Sequence, residues 1–149
     1  LKAKPIIGRR EYVAFPEWGI RGVEAKIDTG ARTSAIHVDN IKRLAGDRVR
    51  FDVVLSRRKP DKCVRVEANL VRFTRVRSST GHQQERFIVA ARMRIGDIRR
   101  RIELSLVSRK HMLCRMLLGR TALSDFLIDV NVKHLHGVPK RHGPKGRTK

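Results

Sequence analysis

The chain has 149 residues, with 35 Lys and Arg against 14 Asp and Glu, a formal net charge of +21. At this length it is one domain able to bury a core without a disulfide or a metal; two cysteines exclude a disulfide framework, and no apolar run approaches the ~18–20 residues of a membrane helix. A charge this one-sided attracts polyanions, either nucleic acid or an acidic peptide, against the cost of self-repulsion.

Short runs of alternating apolar and polar residues fill the chain and read as half-buried strands. The first clear one, Val23, Ala25 and Ile27, runs into Asp28-Thr29-Gly30-Ala31. Val38 to Leu44 is a candidate helix. Strands follow at Val49-Phe51-Val53 and at Val64-Val66-Ala68-Leu70. Thr74 to His82 then fits a hairpin between strand-like runs. Phe87-Val89 and Ile102-Leu104-Leu106 continue the pattern, and Ile95-Gly96-Asp97-Ile98 reads as a tight turn between them. Leu117-Leu118-Gly119 reads as a buried strand, and Thr121 to Phe126 as a helix of about two turns. The expected fold is all-β with one short C-terminal helix. The expected domain spans residues 1–133, and residues 134–149 form a basic, flexible tail too polar to fold alone.

Asp28-Thr29-Gly30 suits an aspartic peptidase loop. Asp28 presents a carboxylate at a tight turn, the Thr29 hydroxyl can hold the loop, and Gly30 permits close approach or positive φ. Asp and Gly also dominate ordinary turns, so the loop alone reads first as a strand-to-turn corner, and only the elements that follow reverse that reading. Leu117-Leu118-Gly119 alone reads as an ordinary buried strand, with a glycine that permits close backbone contact. An aspartic peptidase needs two carboxylates sharing a proton, one as base toward water and one polarising the scissile carbonyl. Asp125 and Asp129 lack a following Thr-Gly, so the chain holds one such loop and a homodimer must supply the second.

These elements, in this order, resemble the retropepsin-like family once labelled ATP-dependent zinc proteases, which includes RimB-type proteins found beside an ATP-grasp glutamate ligase. The resemblance rests on Gly8-Arg9-Arg10-Glu11, Lys26 to Ala35, Val76 to Gly81 with Glu85-Arg86-Phe87, and Met112 to Leu123. It implies a closed β-barrel with a flap hairpin, a homodimer with Asp28, Thr29 and Gly30 as the catalytic loop, and no metal or other cofactor. It further implies an acidic peptide or glutamate-tailed ribosomal protein as substrate and the glutamate ligase as a partner. Ala31 and Arg32 follow the catalytic loop, and Arg32 either grips a substrate carboxylate or pairs with Glu24 or Asp39. Arg75, Arg77 and Arg86 flank the flap, singly solvated charges but as a group expected to line the cleft from above and bind an anionic substrate. Arg120, after Gly119, has a substrate or a structural role. Ser108-Arg109-Lys110-His111 is more basic than the family pattern.

Other chemistries fit less well. A zinc peptidase lacks its His-Glu-x-x-His helix, and His134 with His136 are two ligands where more are needed. ATP use lacks a phosphate loop. Cys63 and Cys114 sit in apolar contexts and read as buried thiols of a reducing, cytoplasmic compartment. The rival from another class is a non-catalytic RNA- or ribosome-binding protein, or a regulator of the ligase. The charge supports it, and the scarcity of aromatic residues, 5%, opposes base stacking.

Overall fold

A computed structural model describes residues 3–56, 58–59, 61–77, 80–108 and 113–137. The tip of the predicted flap at Ser78-Ser79, most of the basic stretch after Ser108 and the tail from residue 138 lie outside the described residues.

The described chain is almost entirely strand: β1 (Ile6–Gly8), β2 (Arg10–Phe15), β3 (Ile20–Ile27), β4 (Ser34–Leu44), β5 (Arg48–Val54), β6 (Cys63–Arg77), β7 (Gln83–Ile95), β8 (Ile98–Val107), β9 (Met116–Leu118) and β10 (Leu127–Asp129). A 3-10 turn at Pro16–Trp18 and one α-helix, α1 (Arg120–Leu123), complete it. Eight strands form one sheet in the order β2-β3-β9-β4-β5-β6-β7-β8, and β1 pairs with β10 in a separate parallel ribbon. Further pairings of β2 with β7 and of β4 with β8 fold the sheet back into a ring of hydrogen-bonded strands. Among the described residues no helix is long and apolar enough to cross a membrane.

The period-two pattern explains the core. Val23 and Ala25 of β3, Val49, Phe51 and Val53 of β5, and Ile102, Leu104 and Leu106 of β8 all point inward and are buried. Each fully buried aliphatic or aromatic side chain contributes about 1.5–3 kcal/mol relative to leaving it in water. Ile95 pairs with Ile98 across a two-residue turn whose Gly96 takes φ +57°, as expected of that turn.

Three expectations change. Val38 to Leu44 is strand, the outer part of β4. Its register shifts between Asp39 and Lys42, and Asn40 adopts φ +55°. The extra residue puts Val38 and Ile41 three apart on the apolar side, a spacing that imitates a helix. The helix after Gly119 is a single turn, Arg120–Leu123, and the chain then bends so that Phe126 is buried with its N–H on the Leu123 carbonyl. Cys63 is exposed, because it shares the outer face of β6 with Arg65 and Glu67 while Val64 and Val66 face inward; Cys114 is buried.

Residues 134–137, assigned from sequence to the tail, are tied to the domain. Glu11 is fully buried and accepts from the N–H groups of Gly8 (2.7 Å), Leu135 (3.1 Å) and His136 (3.2 Å). His136 Nε2 donates to the Ile6 carbonyl (2.9 Å), and His134 Nε2 lies 2.6 Å from Glu24 Oε2 with its ring stacked on Tyr12.

Candidate active site

The Asp28 loop leaves the end of β3 and is held almost entirely by backbone bonds. Ile27 N–H donates to the Arg9 carbonyl (3.0 Å), and Asp28 N–H to the Leu118 carbonyl of β9 (2.9 Å). Within the loop, Ala31 N–H donates to the Asp28 carbonyl (3.2 Å) and Gly30 N–H to Asp28 Oδ1 (2.9 Å). This pair of bonds fixes the carboxylate over its own turn, as Asp does in tight turns. Asp28 is half-buried, and its Oδ2 has no hydrogen-bond partner among the described residues.

The segment after β9 clamps the loop from the other side. Arg120 N–H donates to the Ala31 carbonyl (2.8 Å), Thr121 N–H to the Arg32 carbonyl (3.1 Å), and Gly119 N–H to Ser34 Oγ (3.1 Å). Gly119 permits this contact: a Cβ there would stand 2.7 Å from the Thr33 carbonyl oxygen and 2.9 Å from that of Ala31. Arg120 Nη1 donates to the Thr29 carbonyl (3.0 Å), which gives it a structural part. The loop is thus held through the Thr29 carbonyl; the Thr29 hydroxyl makes no hydrogen bond among the described residues. Gly30 serves by close approach, since its Cβ would lie 3.2 Å from Asp28 Oδ1.

Beside the loop opens a cavity of about 590 Å³, lined by Arg32 and Thr33, by Arg72 of β6, by Arg101, Ile102 and Glu103 of β8, and by Thr121 and Ala122 of α1. Arg32 is exposed and has no ion pair among the described residues: Glu24 holds His134, and Asp39 lies 3.9 Å from His37. Arg72 and Arg101 were missed from sequence. Arg72 is fixed by Glu103 at 2.7 Å, a contact across 31 residues that no local pattern announces.

Arg75, Arg77 and Arg86 lie on the arm formed by β6 and β7, whose pairing runs from Leu70↔Val89 to Arg77↔Gln83. The Phe73↔Phe87 rung anchors the arm, with ring centroids 5.0 Å apart and the Arg43 guanidinium over Phe73. Beyond that rung Thr74, Arg75, Arg77 and Gln83 to Arg86 are all exposed, so the arm projects from the core. Arg75 reaches Glu85 at 3.7 Å. None of these three lines the cavity beside Asp28.

Cys114 is poorly placed to act as a nucleophile. Burial, then the charge of Glu24, pushes the Cys114 thiol up, and its Sγ lies 3.8 Å from Glu24 Oε1. A thiol held protonated is a poor nucleophile.

Three comparisons bear on this geometry. The profile of the RimB-like family, described as the retropepsin-like aspartic endopeptidase RimB, matches residues 6–139. Proteins named "Probable alpha-L-glutamate ligase" are similar along most of the chain. The one from Shewanella pealeana is 34% identical over 91% of this chain and 33% of its own length. The one from Desulfotalea psychrophila is 37% identical over 85% of this chain and 28% of its own. The chain thus spans about a third of the curated relatives it matches. A crystal structure of a Legionella pneumophila protein of unknown function superposes with a TM-score of 0.74 at 25% identity, covering 90% of this chain and 99% of that one.

Proposed function

Because the chain belongs to the RimB-like family of retropepsin-like aspartic endopeptidases, we propose that it hydrolyses peptide bonds in acidic chains, with α-linked glutamate tails on a ribosomal protein as the substrate. The observation that carries this is the Asp28 loop: a carboxylate with one oxygen pinned by Gly30 N–H and the other without a hydrogen-bond partner among the described residues, beside a cavity bearing three arginines. One chain supplies one such carboxylate, so two copies meet with both Asp28 side chains at their axis. One carboxylate takes a proton from water as its oxygen attacks the scissile carbonyl carbon. The other, protonated, donates to the carbonyl oxygen; the C–N bond then breaks as the nitrogen takes up a proton. The pair titrates as a unit. Arg32 and Arg101 favour carboxylates on the bound chain, and the β6–β7 arm closes over it as a flap.

The names of the relatives support a second reading, a non-catalytic binding or regulatory part of glutamate-ligase chemistry, because those names belong to proteins three times as long as the match. One experiment separates the two. A protein carrying an α-linked glutamate tail is incubated with wild type and with Asp28→Asn at low and high salt. Loss of the tail with wild type, reduced at least about 10²-fold in the variant, is expected of an aspartic peptidase. No cleavage by either, with equal binding by both, overturns catalysis and leaves the regulatory reading.

A further inference from the structure

The outer face of the β7–β8 hairpin carries two successive rungs in which arginine faces arginine: Arg92↔Arg101 and Arg94↔Arg99. Like charges directly opposite each other destabilise an antiparallel pair. None of the four has a carboxylate partner among the described residues. The sheet treats other arginines differently: Arg65 holds Asp52 at 2.9 Å, and Arg72 holds Glu103 at 2.7 Å. Arg100, on the opposite face of β8, is taken by Asp125 at 3.1 Å. The four outward arginines, together with Arg100, line a depression of about 350 Å³, with Glu17 the acid at its edge.

Arg101 belongs to both this depression and the cavity beside the Asp28 loop. The two therefore adjoin at Arg101, so an extended chain lying in the cavity can pass this residue to reach the ladder. Rungs along a strand repeat every ~6.8 Å, and so do same-side carboxylates of an extended acidic peptide. We propose that the β7–β8 arginine ladder is an exosite that holds the part of the acidic chain lying beyond the Asp28 cavity, so that the protein discriminates substrates by the length of their acidic run. This rests on the acidic-chain reading above. Its occupant is an acidic peptide because four cationic side chains without a carboxylate partner among the described residues adjoin, at Arg101, the cavity proposed to take such a chain.

The test is binding, in an Asp28→Asn background so that turnover does not enter. Labelled peptides of about three and about ten α-linked glutamates, and a single-stranded RNA of about ten nucleotides, are titrated by fluorescence anisotropy at low salt. The long peptide is expected to bind about tenfold or more tighter than the short one, as three to four exposed charge pairs allow. Arg92→Gln, Arg94→Gln and Arg99→Gln together should bring the long peptide to the affinity of the short one. The matching lysine triple variant should retain most of the preference for length, and thermal unfolding of both variants checks that they fold. Length preference surviving the glutamine variant overturns the exosite, and so does RNA binding that exceeds the long peptide and vanishes in that variant. Failure of the wild type to cleave leaves this binding result standing and strikes only at the catalytic reading.

Discussion

Gly119 has no room for a side chain, and the atoms that deny it are backbone on the Asp28 loop itself. A methyl group there must push the Thr33 and Ala31 carbonyls away, and neither is a flexible side-chain end. Gly119→Ala should cost about 1–3 kcal/mol by overpacking, read as a lower urea midpoint. Cleavage should fall further than that loss of stability explains, because the displaced Ala31 carbonyl accepts from Arg120 N–H and so ties the loop to the segment after β9. Full activity in a variant with an unchanged midpoint would show that the contact does not position Asp28. This residue was legible only through the family resemblance, since Leu117-Leu118-Gly119 alone reads as an ordinary buried strand and its distance of about ninety residues from the loop hides the contact. Glu11 was not. It is fully buried, and two of its three N–H donors lie 124 and 125 residues away, so no local pattern distinguishes it from a surface acid.

The elements themselves were legible wherever the alternation was unbroken, as in β5 and β8. It failed where the chain carries an extra residue: the bulge in β4 turns a strand into an apparent helical period. That bulge has a consequence for acid stability. With Asn40 at φ +55°, its Nδ2 donates to Asp52 Oδ2 (2.9 Å), while Arg65 Nε from β6 donates to Oδ1 (2.9 Å). These two hydrogen bonds, Arg65 first, hold the Asp52 carboxyl below the usual carboxylate range against the opposing effect of burial. A group whose pKa is lowered by folding contributes stability above its unfolded value, near ~3.9, and loses it as pH falls through the folded value. Urea unfolding at neutral pH and near pH ~3 should therefore show a larger acid-induced loss in wild type than in Asp52→Asn. The variant should also be less stable than wild type at neutral pH. Parallel losses in the two proteins would mean that the three-strand junction β4–β5–β6 does not depend on this charge.

At the scale of the molecule the charge acts in two opposite directions. A net +21 attracts the acidic chain proposed as substrate, but two copies bearing that charge repel each other. Salt weakens both effects, since the screening length falls to ~8 Å near physiological ionic strength. The two can be separated by enzyme concentration. At high concentration, where the dimer is saturated, added salt should lower kcat/KM by weakening substrate capture alone. At low concentration, specific activity at saturating substrate should fall on dilution as copies separate, and moderate salt should restore part of it by screening their repulsion. Sedimentation across the same dilution series gives the fraction of dimer. Specific activity that stays constant while the protein becomes monomeric would rule out a shared pair of Asp28 carboxylates, and a single chain would then have to furnish both groups. Activity that tracks the dimer fraction, with salt moving both together, ties the catalytic pair to assembly and makes the strong positive charge a limit on how readily the active form is populated.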